Sequence, residues 1–104
     1  MRSAEFRGVY SKGMRFSGRL FTAFCLATEG QEGPKVGFTV PRALGNSVQR
    51  NRIKRRMREA VRLHLPLIGR EWAIVFNPRR TALTAPFDEL QHEVQRIVQR
   101  CNAR

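Results

Sequence analysis

The sequence is short of acid, histidine, tyrosine and cysteine, and each shortage narrows what the chain can be. Eight Asp and Glu stand against 20 Lys and Arg, a formal net charge of +12 on 104 residues. Only Cys25 and Cys101 are present, far apart and beside apolar neighbours, so the chain has neither a zinc pattern nor a disulfide framework, and buried free thiols are expected. No run approaches the roughly 18 apolar residues of a membrane span, and Met1 to Tyr10 holds no apolar signal-peptide segment. His64 and His92 fall on separate predicted helices, the first on an apolar face and the second beside acids, where packing and surface roles are expected. No nucleophile–base pair, paired carboxylates near the basic region or metal-ligand cluster is visible, so no residue is assigned to catalysis or to a metal.

What the chain does have is apolar residues and arginine. At 41% hydrophobic residues it can build a core, and a single domain over residues 1–104 hides roughly two-thirds of its chain's surface on folding. Arginine supplies 17 of the 20 basic residues, leaving Lys12, Lys35 and Lys54. The guanidinium's planar fork of five donors matches phosphate oxygens and stacks on bases, which a lysine ammonium does not. Seven basic residues lie between Arg50 and Arg62 with one acid, Glu59, whereas Asp88, Glu89 and Glu93 gather near the other end. So concentrated a basic element is the electrostatic footprint of a polyanion. A membrane surface would instead require the opposite face to insert, and that face is needed for a core.

Periodicity places this element. Phe6, Val9 and Tyr10 predict a short helix over residues 4–12. The run from Phe16 to Thr28 predicts strands broken near Gly18, with Leu20, Thr22, Phe24 and Leu26 on one face and Phe21, Ala23, Cys25 and Ala27 on the other. Glu29 to Pro34 reads as a turn, and Lys35 to Val40 as a half-buried strand hairpin-paired with the one before. A helix follows, capped by Asn46 or Ser47 and stopped at Leu65-Pro66. Ile53, Met57, Ala60, Val61 and His64 share its apolar face; Asn51, Arg55, Arg58 and Arg62 form the opposite ridge, and Arg56 lies at the margin of the apolar face. Trp72 to Phe76 predicts a buried strand, and Thr84-Ala-Pro86 opens a last helix with Phe87, Leu90, Val94, Ile97, Val98 and Cys101 on one face. The fold class is an α/β (α+β) two-layer sandwich: about four strands in a mixed, antiparallel-rich sheet with three helices, in the order α-β-β-β-α-β-α, the basic helix being a crossover.

The segment Gly45-Asn-Ser-Val-Gln-Arg-Asn-Arg-Ile-Lys-Arg55 closely resembles the signature of the bacterial ribonuclease P protein subunit, with its Arg-Asn-Arg motif at Arg50-Asn51-Arg52. Glu5-Phe6, Val9-Tyr10, Gly13, Arg19, Phe21 and Phe24 upstream, and Trp72-Ala-Ile-Val downstream, extend the resemblance over nearly the whole chain. It implies a subunit of a cytoplasmic endoribonuclease that removes the 5′ leader from precursor tRNA. The partners would be one catalytic RNA and the precursor, with Mg²⁺ and the hydrolysis belonging to the RNA. The resemblance implies catalytic-RNA contacts at Arg50, Asn51, Arg52, Lys54 and Arg55, and the helical wheel adds Arg58 and Arg62. It further implies a leader-binding cleft between the first helix and the sheet, walled by Phe6, Tyr10 and Phe24, with Arg7, Lys12, Arg15, Arg19 and Arg42 as basic neighbours. Aromatic rings suit unstacked single-stranded bases, and arginines suit the backbone. The alternatives are a structural, ribosomal-type RNA-binding protein without a role in leader cleavage and a protein-only ribonuclease acting through its own side chains.

Overall fold

The most apolar strand decides the architecture. Trp72–Pro78 is buried at every position except Asn77, and such a strand needs neighbours on both edges and cover on both faces. In the computed structural model, which describes residues 3–28, 30 and 33–103, it lies inside a four-stranded sheet. The elements in chain order are α1 (Ser3–Lys12), β1 (Met14–Ser17), β2 (Phe21–Ala27), β3 (Lys35–Phe38), α2 (Ser47–His64), β4 (Trp72–Pro78) and α3 (Phe87–Asn102). Short 3-10 turns occupy Arg42–Leu44, Leu65–Leu67 and Arg80–Leu83. The order α-β-β-β-α-β-α and the mixed four-stranded sheet are those the sequence predicts.

The pairing of β3 is not. The sheet order is β1-β2-β4-β3, with β2 antiparallel to both β1 and β4, and β3 parallel to β4. The hairpin expected between β2 and β3 is therefore replaced by insertion of β4 between them. A hairpin would have left the largely apolar β4 at an edge, while the short β3, with exposed Lys35, serves well as an edge strand. In the turn between β2 and β3, Glu29, Gln31 and Glu32 lie outside the described residues, and Gly30 takes a positive φ of 77°. Because β3 and β4 are parallel neighbours, α2 is the crossover between them.

Each sheet face carries its own core. Phe21, Ala23 and Cys25 of β2 and Trp72, Ile74 and Phe76 of β4 pack with Ile53, Met57, Ala60 and Val61 of α2 and Leu90, Val94, Ile97, Val98 and Cys101 of α3. Leu20 belongs to this core too: it precedes β2 and does not follow the Thr22 face that strand alternation assigns to it. On the other face Val9 of α1 packs against Ala73 and Val75, with Phe6, Tyr10, Phe24 and Leu26 around them. Cys25 and Cys101 are free and buried. They contact each other, and this contact together with burial pushes the Cys25 thiol up.

The start of α2 is built with care. Asn46 Oδ1 accepts from the Gln49 N–H at 2.9 Å, and Gln49 Oε1 accepts from the Asn46 N–H at 3.0 Å, a reciprocal cap that places Asn46 at the cap position. Gly45 precedes it with φ at 140°, and a Cβ there would lie 2.3 Å from Gln49 Oε1, so the approach to the cap requires glycine. The last helix begins at Phe87, with Pro86 at its cap position.

Candidate nucleic-acid interface

The basic helix presents the face its periodicity predicts. Ile53, Met57, Ala60 and Val61 are buried, so α2 is fixed to the sheet and cannot rotate. Asn51, Arg52, Arg55, Arg58 and Arg62 are exposed, while Arg50 and Lys54 are half-buried. Arg50 Nε is shielded and makes no hydrogen bond. His64 is half-buried, with Nε2 likewise unpartnered. Asn51, Lys54, Arg55, Arg58 and Glu59 line a shallow depression.

The electrostatics of this face are one-sided. The first turn of α2 has no acid, so the positive end of the helix dipole adds to Arg50 and Arg52 without compensation. Glu59 is the one acid on the helix, and it is engaged: its carboxylate accepts from Arg62 Nε at 3.2 Å and also from the Arg62 terminal nitrogen. That bond holds Glu59 below the ordinary carboxylate range and raises Arg62. Like charges on a fixed helix repel, and an anion on the face would relieve the repulsion. Arg56, placed by the helical wheel at the apolar margin, bonds the backbone of residues 82–85 and is not part of the exposed face.

The second surface is assembled from four elements. Tyr10 and Phe24 meet edge to face with ring centroids 4.8 Å apart, and Phe6 lies 6.5 Å from Tyr10. All three rings are half-buried, which leaves part of each accessible between α1 and the sheet. The Tyr10 hydroxyl donates to Asn77 Oδ1 at 2.9 Å and shares a 2.8 Å hydrogen bond with Thr39 Oγ1. Thr39 and Asn77 carried no signal in the sequence, since each is an isolated polar residue at a strand end; only the β3–β4 register brings them together, with the Thr39 N–H bonded to Phe76 O at 3.0 Å.

The basic neighbours of this cleft divide. Arg15 stands opposite Phe24 in the β1–β2 register, on the same sheet face. Arg7 and Lys12 are exposed on α1. Arg19 does not join them: it lies between β1 and β2, with its guanidinium 3.9 Å from Glu89 of α3. Arg79, which carries no signal in the sequence, reaches the α1 side instead, donating to Gly18 O at 2.9 Å and to Thr22 Oγ1 at 3.2 Å. Thr22 pairs with Asn77 across the ladder, so Arg79 borders the polar end of the cleft.

Among the described residues no three His, Cys, Asp or Glu side chains gather into a metal-binding group, and Glu59, the acid nearest the ridge, is held by Arg62. This donor set does not suit Mg²⁺, which asks for oxygen ligands. No helix among the described residues is long and apolar enough to cross a membrane.

The chain and its fold resemble known proteins over nearly their whole length. The family model described as Ribonuclease P matches residues 1–102. The chain is similar to the ribonuclease P protein component of Symbiobacterium thermophilum, 39% identical over 91% of this chain and 83% of that protein. Its similarity to the Chloroflexus aggregans component is 40% identity over 93% of this chain and 72% of that one. A solved structure of a Staphylococcus aureus RNase P protein mutant with defective mRNA degradation activity superposes with a TM-score of 0.85 at 25% identity, covering 98% of this chain and 86% of that one. The Thermotoga maritima RNase P protein shares the fold at 22% identity, with a TM-score of 0.83 over 96% and 94% of the two chains. With the family match running from the first residue through the basic helix to the end of α3, the chain belongs to the ribonuclease P protein family.

Proposed function

We propose that this chain binds the catalytic RNA of ribonuclease P through the exposed face of α2 and the 5′ leader of precursor tRNA in the cleft between α1 and the sheet. In that holoenzyme, one protein to one RNA, it assists removal of the leader to give the mature 5′ end. The observation that carries the reading is a rigid α2 whose exposed face holds Arg52, Arg55, Arg58 and Arg62 with Glu59 as its one acid. Arg50, Asn51 and Lys54 complete the RNA-binding set.

Hydrolysis and Mg²⁺ belong to the RNA in this reading. The protein's part is to hold phosphates and to position single-stranded leader, with Phe6, Tyr10 and Phe24 offering ring faces and Arg7, Lys12 and Arg15 the nearby charge. Such an assembly works in the cytoplasm, where tRNA precursors are processed.

Reconstitution tests this. Adding the protein to the ribonuclease P RNA at low Mg²⁺ is expected to raise cleavage of precursor tRNA well above that of RNA alone. A protein that binds the RNA tightly without raising cleavage would be the structural, ribosomal-type protein instead.

A further inference from the structure

Arg56 stands apart from the other basic residues of α2. Its guanidinium turns under the chain and donates to three main-chain carbonyls: Nη1 to Ala82 O at 3.0 Å and Leu83 O at 2.7 Å, and Nη2 to Ala85 O. These oxygens belong to the 3-10 turn Arg80–Leu83 and the residues just after it, where backbone acceptors run out of helical partners. A planar fork can bridge several carbonyls at once, and its charge suits the negative end of the turn. Ala82, beneath it, is fully buried. Residues 82–85 are thereby hydrogen-bonded to α2 through one side chain, beside the apolar packing of Ala82, Leu83 and Ala85 in the core they share with that helix.

The tie creates a groove. Arg52, Arg55 and Arg56 form one side of it, and Leu83 and Thr84 the other. Arg52 lies one helical turn before Arg56 on the same face. No acid lines this groove, and none of its three arginines joins an ion pair among the described residues. The neighbouring depression along α2 differs in containing Glu59. Arg56 spends its donors on carbonyls and leaves its charge in the groove wall, while the exposed forks of Arg52 and Arg55 and the exposed Thr84 hydroxyl remain for a ligand with oxygens on two sides.

We propose that Arg56 is a positioning residue that fixes residues 80–85 as the second wall of an RNA-backbone groove, in which Arg52, Arg55 and Thr84 hold one stretch of phosphodiester. The inference rests on the reading that α2 binds RNA, and it adds that the face is two-walled, not an open ridge. Arg56 acts through the turn and does not itself touch the RNA.

The test is a salt titration of binding between the full chain and ribonuclease P RNA, with melting curves for each variant. Arg56→Lys keeps the charge and loses the fork. Binding is expected to weaken about tenfold with the log–log salt slope intact, because the charge is kept and the wall that is lost is neutral. A purely structural role would lower the melting temperature and leave the affinity of the folded protein unchanged, which would overturn the proposal. Thr84→Val, at an exposed position, is expected to weaken binding about threefold with the slope intact, because the lost hydrogen bond comes from an uncharged donor. It keeps the proposal falsifiable if Arg56→Lys does not fold, since unchanged binding in Thr84→Val removes the second wall. Arg55→Ala separates the two levels. If it weakens binding while both other variants bind normally, only the groove is refuted; if it too is without effect, α2 is not the RNA-binding face.

Discussion

The arginine face of α2 and the aromatic cleft under α1 differ in how they are made and in what they can read. The α2 face comes from one continuous stretch and is almost purely electrostatic, its chemistry being that of guanidinium and phosphate. The cleft draws Phe6 and Tyr10 from α1, Phe24 from β2, Thr39 from the end of β3 and Asn77 from β4, and its chemistry is stacking with a few neutral hydrogen bonds. Phosphate contacts supply affinity without sequence information, whereas ring faces act on unpaired bases. In the proposed function a single small domain thus separates holding an RNA from recognising a single-stranded segment, and the two surfaces should respond differently to the same perturbations.

The largest effect is expected at the helix. Arg52→Ala with Arg55→Ala should weaken catalytic-RNA binding by on the order of 10–100-fold at low salt and reduce the log–log slope by about 1.4–1.8, two phosphate contacts' worth. A slope equal to that of the unmodified protein would show that these arginines do not touch the backbone.

The cleft should answer next, and selectively. Tyr10→Ala and Phe24→Ala should each weaken binding of precursor tRNA by the equivalent of about 1–3 kcal/mol, the contribution of one stacked base, while affinity for mature tRNA stays nearly constant. Equal losses for both tRNAs would merge the two surfaces into one. A milder change, Tyr10→Phe, removes the hydroxyl that ties α1 to Thr39 and Asn77. It should cost about 0.5–1.5 kcal/mol in a denaturant melt and reduce the preference for precursor less than Tyr10→Ala does.

Arg19→Ala should leave the preference for precursor unchanged, because Arg19 lies toward Glu89 of α3 and away from the cleft. Loss of that preference would put Arg19 back among the leader contacts. The smallest effect belongs to Glu59. Its carboxyl titrates below its ordinary range, so the pairing with Arg62 is complete at neutral pH and is lost only as the pH falls through that lowered value. Both groups are exposed, so Glu59→Gln should leave the neutral-pH melt unchanged and slightly tighten RNA binding by freeing Arg62.

The two surfaces were not equally legible in the sequence. The α2 face was readable because helical period and charge are local: Ile53, Met57, Ala60 and Val61 fall on one side by spacing alone, and the Asn46-Ser47 pair marks the start of the helix, though not which of the two caps it. The aromatics of the cleft were named through resemblance, yet nothing local tied Tyr10 to Thr39 and Asn77, which lie 29 and 67 residues away. That link depends on β4 entering between β2 and β3, which adjacency in sequence does not show, because a strand apolar on both faces takes two neighbours wherever they lie in the chain. Arg56 and Arg79 show the same limit. Spacing marks an arginine as marginal, but only the folded backbone shows which carbonyls it meets.

The most direct test of the two-surface account is the ratio of precursor to mature tRNA affinity in the reconstituted holoenzyme, measured across a salt series for the unmodified protein, Phe24→Ala and Arg52→Ala with Arg55→Ala. The account predicts that the ratio collapses toward one in Phe24→Ala at every salt concentration. In the arginine variant the ratio should persist once holoenzyme is formed at saturating protein. A ratio that survives in Phe24→Ala and collapses in the assembled arginine variant would contradict it.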